Sequence, residues 1–548
     1  MPLDLFNDAL DDAPDKVVAD GFLGFDGVTE PTKLTAATVR AGQNVWFDVD
    51  LVLQTRPGLA FNSLLSRATL GGGSHQPRGA GYYDVPGREA VLVSGDGKLY
   101  EITGHGNNAT SNVLTPTPSD TVDACFAQLV DRMFWTAGTA NTLHWSMYSG
   151  GAWSHGTVST FSDASAMPTW GIICAHKFRL VASDPATGKL YASAVGAANT
   201  AANWVITENI RIGSGEGDPL RALISGQAGF LIVINERSAW LVDTSDPAVA
   251  NWTSSRITGL AGAIEGKTAV QTGQDVIFLS ADGVVSLGAL QDSTSINPAT
   301  TLSAPIQSYI DRINASAIST AWATMWRDHY LLAVPLDAAT VPDWFLAFNT
   351  TTRQWATPWS CTLPKTTVSG TDITFAGFVC GVVSNFAGRQ ETLICDNTGR
   401  SLRWDKTISK DYSAAATTHE ILSWATLKAF THEAPENYKQ PFWLQLEFFG
   451  STAALVQVNL VRDGRQAYPD IDLADCEIIE TGMYTNGLQT FPIQFPLTFQ
   501  PNNIFIHAFT LRDRPRYRNV SVQVVSPQGR LRLRAARLAG YIDEVALE

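Results

Sequence analysis

The chain has 548 residues, of which 45% are hydrophobic and only 16% charged, with a net charge of −14. That length exceeds one ordinary domain, and the composition supplies a core and excludes global disorder. The negative balance argues against tight binding of a phosphate backbone by the surface as a whole, while 27 Arg against 11 Lys favours bidentate pairing at interfaces.

Residues 1–43 carry Asp4, Asp8, Asp11, Asp12, Asp15, Asp20, Asp26 and Glu30 with little periodicity. This predicts an extended acidic arm that either docks on a neighbour or frays. The opening residues lack the basic flank and apolar stretch of a secretory leader, and the longest apolar runs, such as GFLIVI (229–234), are strand-length. The expectation is a protein folded in a reducing cytoplasm without membrane insertion.

From 44 to 410 the chain repeats a theme of apolar strand, turn, and second strand with a large apolar residue. The instances begin at EAVLVSGDGKLYEIT (89–103) and continue over 132–148, 178–194, 229–243, 275–288, 329–349 and 391–405. SGDG and SADG are strong hairpin turns, because Asp-Gly readily takes positive φ. The repeat of roughly 45–60 residues is that of a four-stranded propeller blade. Sheets stacked radially bury faces that one sheet cannot bury alone, and they leave only short edges. The prediction is an all-β chain with a β-propeller of six or seven blades over 44–410; a set of β-sandwiches is the competing architecture. No sialidase-type, WD or kelch signature recurs. SAPIQSYIDRINASAISTAWATMW (303–326) is the best helix candidate, with Ser303 as cap, Pro305 in the first turn and Ile306, Tyr309, Ile310 and Ile313 at helical spacing.

After 411 the strands lengthen and alternate, as in QPFWLQLEFFG (440–450) and NNIFIHAFTLRD (502–513), which predicts a C-terminal antiparallel β-sandwich over 411–548. Arg512, Arg514, Arg516, Arg518, Arg530, Arg532, Arg534 and Arg537 crowd this end. In RLRLR they alternate with leucine and share one strand face. They read as a solvated face paired with acidic neighbours, as a docking surface for an acidic partner such as the arm of an adjacent copy, or as a nucleic-acid contact.

Signatures of chemistry are scarce. The sequence has no G-x-S-x-G elbow, P-loop or H-E-x-x-H motif. GSGEGDP (213–219) precedes a strand rather than a phosphate-binding helix. Cysteines 125, 174, 361, 380, 395 and 476 form no CxxC, and Cys174-Ala175-His176 has no second pair to complete a zinc site. Buried free thiols and no cofactor or metal are expected. Asp184, Glu216, Asp218, Glu236 and Asp282 lie on turns; a glycosidase would need two such carboxylates converging on one bond.

The stretch NVWFDVDLVLQTRPGLAFNS (44–63) combines a short hairpin with Arg-Pro-Gly ahead of the propeller repeats. The residue before proline is biased to extended backbone, and Pro-Gly favours a type II turn with Gly at positive φ. The hairpin reads as a clasp that supplies outer strands to the last blade. On Asn44, Val45, Leu53, Arg56, Pro57 and Gly58, on GEGDPLRAL (215–223) followed by LIVINERSAWLV, and on the closing LRLRAARLAGYIDE, the chain resembles the tail nozzle proteins of short-tailed bacteriophages, also called tail tubular or DNA-stabilisation proteins. It departs from them in carrying Asp48 and Asp50 where a turn glycine is usual. The resemblance implies a non-enzymatic structural subunit of the virion tail, assembled in the host cytoplasm. It implies a homo-oligomeric ring, commonly six-fold, below the portal and adaptor and next to tail fibre or tip proteins. Such a ring extends the channel that retains and releases double-stranded DNA. The other readings are a protein- or glycan-binding propeller and a propeller glycan hydrolase.

Overall fold

The computed structural model describes residues 16–542 apart from 31, 36, 49, 65–76, 105–109, 120, 137–141, 214–216, 227–228, 258–260, 274, 289–300, 362–365, 369–370, 374–376, 415, 431–438, 450–453, 463–475, 485–503 and 511–519. Each of the seven hairpins read from the sequence is the second and third strand of an antiparallel sheet; six of these sheets have a described fourth strand, and that of 270–286 shows three among the described residues. Blade 1 consists of Pro77–Val85, Arg88–Gly95, Lys98–Thr103 and Thr110–Leu114. Blades 2 to 7 follow over 126–158, 173–211, 220–256, 270–286, 322–360 and 378–405. The first strands of successive blades pack side by side, with the turn Gly266–Thr268 ahead of blade 5 filling the place between blades 4 and 6, and Phe378–Phe386 of blade 7 returns beside Pro77–Val85 of blade 1. The fold is therefore a closed seven-bladed β-propeller.

The second strand of each blade explains the continuous apolar runs. It is enclosed by the blades on either side, so both faces are buried: His329–Val334 and Phe278–Ser280 are buried throughout. Period-2 alternation belongs to strands with one wet face and is lost here. Close approach of neighbouring blades is bought at small residues on the innermost strands. A Cβ at Gly79 would stand 2.1 Å from Ala124 O, and one at Gly381 would stand 2.5 Å from the Trp322 ring. The SGDG turn forms as read, with Asp96 at φ 57° and Gly97 at φ 64°.

Four expectations change. The candidate helix over 303–326 is a single α-turn, Gln307–Ile310, between short 3-10 turns, and its last residues are the inner strand Trp322–Trp326 of blade 6. Asn314 accepts from Ser316 N and restarts the chain, and the ring's demand for an inner strand outweighs weak helical periodicity. Arg-Pro-Gly is not a type II turn, for Gly58 is absent from the positive-φ residues. Glycine is required there by crowding instead, since a Cβ would lie 2.1 Å from Lys410 O.

The third concerns the clasp. The hairpin itself, Val45–Phe47 with Leu53–Thr55, joins the C-terminal sheet through Leu53 opposite Leu533 and Gln54 opposite Arg532. The strand after Arg-Pro-Gly, Gly58–Leu64, completes blade 7 as its outermost strand, with Leu59 opposite Trp404 and Ala60 opposite Arg403. The hairpin manages without a turn glycine because Leu51 takes φ 58° and Asp48 Oδ1 accepts Asp50 N and Val52 N, both at 3.0 Å.

The C-terminal domain is a sandwich of two sheets, and the N-terminal residues build part of both. Lys16–Asp20 pairs with Arg532–Ile542, and Val39–Gln43 pairs with Ser423–Leu427. Residues 16–43 are thus strands and core rather than a free arm; residues 1–15 lie outside the described residues. One apolar cluster runs from Val39, Leu444 and Val522 of the sandwich into Ile277 and Leu279 of blade 5 and Leu332 and Phe348 of blade 6. The sandwich is fused to the propeller's flank.

Candidate functional site

Strand order gives the propeller two distinct faces. Turns between first and second strands, and between third and fourth, lie on one face. The other face holds the second-to-third turns and the entries to the first strands. A cavity of about 640 Å³ runs between these faces, lined by blades 1 to 4, 6 and 7 and by the segment 265–269 that enters blade 5. At the second face its mouth is charged. Lys267 Nζ meets Asp123 Oδ2 at 2.7 Å and Ser319 O at 2.7 Å, Arg78 stands 3.9 Å from Asp123, and Arg221 pairs with Glu236. Burial pushes the Glu265 carboxyl up, while the neighbouring Lys267 charge and its backbone N–H oppose that. Deeper in, the walls are backbone and small or aliphatic side chains with three thiols, Cys125, Cys174 and Cys380. Burial pushes the Cys125 thiol up and Cys174 up to about 12, so neither supplies a thiolate near neutral pH. His176 bridges two blades, bonding Ser225 Oγ at 2.9 Å and Thr244 Oγ1 at 2.8 Å.

Asp184, Asp218 and Glu236 are each engaged by partners in their own or an adjoining turn. Asp184 caps its own turn through Ala186 N and Thr187 Oγ1, Asp218 accepts Arg237 N and Ser238 Oγ, and Glu236 holds Arg221. Glu216 lies outside the described residues. Asp343, in the corresponding turn of blade 6, accepts Leu336 N at 3.2 Å, and burial pushes its carboxyl up to about 6. A folded-state pKa above the unfolded value means that the protonated form is favoured in the fold. The penalty is absent below about pH 4, grows between about pH 4 and 6, and stays constant above that. Asp343→Asn keeps the acceptor, so it is expected to add about 1 kcal/mol at pH 7, discounted for partial exposure, and nothing at pH 3.5. Urea unfolding at the two pH values measures this, and an equal gain at both would contradict it.

The Arg56 guanidinium is fully buried and uses all five N–H donors. Nε gives to Asn44 Oδ1 at 3.1 Å; Nη1 gives to Pro57 O at 2.8 Å and Asp411 Oδ1 at 2.9 Å; Nη2 gives to Ser360 O at 2.9 Å and to Asp411 Oδ2. Asn44 sits at φ 58°, a conformation asparagine tolerates, and gives Nδ2 to Leu422 O at 2.8 Å. Trp404 packs beside the guanidinium at 5.6 Å. Of the residues expected in the clasp, Asn44 and Arg56 therefore form a knot that ties sandwich, blade 6 and blade 7. Val45 and Leu53 are core of the sandwich, and Pro57 and Gly58 carry the chain into blade 7.

Four of the eight clustered arginines are described. Arg537 reaches Glu447 at 2.6 Å, Arg534 stands 4.0 Å from the same carboxylate, Arg532 stands 3.9 Å from Asp48, and Arg530 gives to Gln54 Oε1 at 2.7 Å. Three of them thus face acidic side chains of their own chain rather than forming a bare basic strand. Arg512, Arg514, Arg516 and Arg518 lie outside the described residues.

Sequence reading passed over the apolar face. Val130, Phe178, Val195, Val205 and Ile206 are exposed on the first-to-second and third-to-fourth turns of blades 2 and 3, and Phe230 is exposed where the second strand of blade 4 begins on the same face. Phe178 is 74% exposed at φ 58°, and Val130 is 56% exposed at φ 54°. Left-handed backbone at a two-residue turn favours Asn or Gly and disfavours bulky and β-branched residues. The signal was legible as HKFR and LVDR where a turn dipeptide would be polar.

No protein-family model matches the chain, and no curated protein matches it in sequence. Among solved structures it is similar to PorZ, an essential bacterial surface component of the type-IX secretion system of Porphyromonas gingivalis, with 11% identity over 72% of this chain and 44% of that one and a TM-score of 0.38. It is similar to the extracellular domain of the one-component system BT4673 from B. thetaiotaomicron, with 10% identity over 83% of this chain and 58% of that one and a TM-score of 0.39. It is also similar to YCF48 bound to D1 peptide, with 12% identity over 65% of this chain and 99% of that one and a TM-score of 0.35. The chain spans less than half of PorZ and under two thirds of the BT4673 domain, and the propeller assignment rests on the strand pairing described above.

Proposed function

We propose that the chain is a structural subunit of a larger particle, a tail nozzle or hub ring protein that lies below a portal and adaptor, assembles with copies of itself, and extends a channel for double-stranded DNA. The observation that carries an assembly role is the apolar face of blades 2 to 4. Phe178 and Val130 occupy strained turn positions and expose most of their surface, so their own fold gains little from them. Large apolar side chains left exposed on one face fit a protein interface. The nozzle itself is supported by the order of features around Arg-Pro-Gly and by a fold whose ring, hairpin and sandwich are locked by one buried knot, which suits a rigid wall. A net charge of −14 suits a surface past which DNA slides without adhering.

The same face also favours a second reading, a propeller that binds an unrelated protein. Stoichiometry separates the two. Light scattering and electron microscopy of the purified chain, alone and with portal–adaptor particles, are expected to show a ring of about six copies by the family resemblance. A strictly monomeric chain that never joins such particles would overturn the nozzle.

Phe178→Asn is expected to separate folding from assembly. It relieves a disfavoured turn and so leaves the unfolding midpoint unchanged or slightly higher. Removing a central aromatic anchor should weaken association by about 30-fold or more. Analytical ultracentrifugation of the variant checks this, and wild-type association would remove the apolar face from the argument.

A further inference from the structure

A second cavity, of about 380 Å³, lies where the sandwich meets blades 6 and 7. Trp46 enters from the sandwich hairpin, Arg327 from the first turn of blade 6, Lys406 from the end of the third strand of blade 7, and Arg530 and Arg532 from the start of the last sandwich strand. The lining carries four cations, Arg327, Lys406, Arg530 and Arg532, against three carboxylates, Asp48, Asp50 and Asp328. Asp48 is occupied by Asp50 N, Val52 N and Gln54 Nε2 and stands 3.9 Å from Arg532. Asp328 is held by His329 Nδ1 at 2.9 Å and Asn349 Nδ2 at 3.1 Å. Asp50 lies exposed at the rim.

Two donors stand out. Arg530 is half-buried and makes no ion pair among the described residues, its one described bond being to the neutral Gln54 amide. Burial and the neighbouring Arg532 charge disfavour its charged form, and Asp48 and Asp405 offset this only in part. Trp46 is 7% exposed, and its Nε1 has no hydrogen-bond partner among the described residues. A buried donor without a partner destabilises the fold, and a buried cation without a counter-ion destabilises it more. Natural proteins tolerate such groups where a ligand completes them.

We propose that this cleft is an oxyanion site that takes a dianionic phosphate-type group, held by Arg530, Arg532 and Lys406 with the Trp46 N–H. Guanidinium forks match tetrahedral oxyanions with paired bonds, and two adjacent arginines favour a dianion over a single negative charge. An anion bound here touches the sandwich and two blades at once, so it tightens the seam between the domains. The proposal does not depend on the nozzle reading.

Titration of the full chain with inorganic phosphate tests it, by calorimetry and thermal unfolding, with sodium chloride at matched ionic strength and succinate as comparison arms. Saturable phosphate binding is expected, with a rise in unfolding midpoint that chloride does not reproduce. Arg530→Gln should raise the dissociation constant at least 10-fold. Lys406→Gln, at an exposed position that the fold does not need, should raise it severalfold with an unchanged midpoint in the absence of phosphate. Three results would overturn the proposal: no saturable binding, equal binding by both variants and the parent chain, or a preference for succinate over phosphate.

Discussion

Arg56→Leu is expected to cost about 3–5 kcal/mol of stability, the range for breaking a buried ion pair from one side. Leucine fills part of the volume but leaves Asp411 buried without its cation, and it strips bonds from Asn44, Pro57 O and Ser360 O. Denaturant unfolding followed by tryptophan fluorescence is a suitable readout, since Trp404 lies against the guanidinium. The double variant Arg56→Leu/Asp411→Leu should lose clearly less than the sum of the two single changes, because the orphaned charge is then gone. It should not recover fully, because Asp411 Oδ1 also accepts Leu59 N at 3.1 Å. A single-variant loss below about 1 kcal/mol, or strict additivity, would show that the knot is not a cooperative unit.

The second large effect concerns the chain's own closure. A chain beginning at residue 65 lacks Gly58–Leu64 and leaves Arg400–Asp405 as an open edge in blade 7. It also removes Leu59 from an apolar cluster that contains Phe345, Phe378 and Trp404, and it strips both sandwich sheets of their N-terminal strands. This chain is expected to lose its near-ultraviolet circular dichroism and to bind a hydrophobic dye. A chain beginning at residue 44 keeps hairpin, knot and clasp. It loses only the strands Lys16–Asp20 and Val39–Gln43 with their core residues, so it should retain a cooperative propeller transition at a lower midpoint. Native-like spectra from the shorter chain would mean that blade 7 closes without its outer strand.

Much of this architecture was legible as strings. Seven hairpins in the sequence are seven blades, because a strand enclosed on both faces must be apolar throughout and the turn that joins it to the next strand follows at once. The outer strands were less visible. Asn209–Arg211 and Thr253–Arg256 are short, polar and wet, and they resemble loops. The 303–326 segment shows the opposite failure, a helical spacing overruled by the ring's need for Trp322–Trp326. At the candidate sites the balance is poorer. The arginines of 530–537 looked alike as alternating charges, yet Arg537 has a carboxylate at 2.6 Å and Arg530 has none within ion-pair reach among the described residues. Strand period gives a side chain its face and says nothing of what stands opposite.

The sequence by itself determined the blade count to within one, the hairpin turns and the change of architecture near residue 411, since all of these follow from local period and backbone preference. Only the tertiary structure decided which piece of the 44–64 stretch closes the ring. It assigned the hairpin to the sandwich, the following strand to blade 7, and the buried Arg56 to the crossing between them. That division was invisible beforehand because it depends on pairings across more than 300 residues, where the partners Asp411 and Leu533 carry no local mark of the contacts they make.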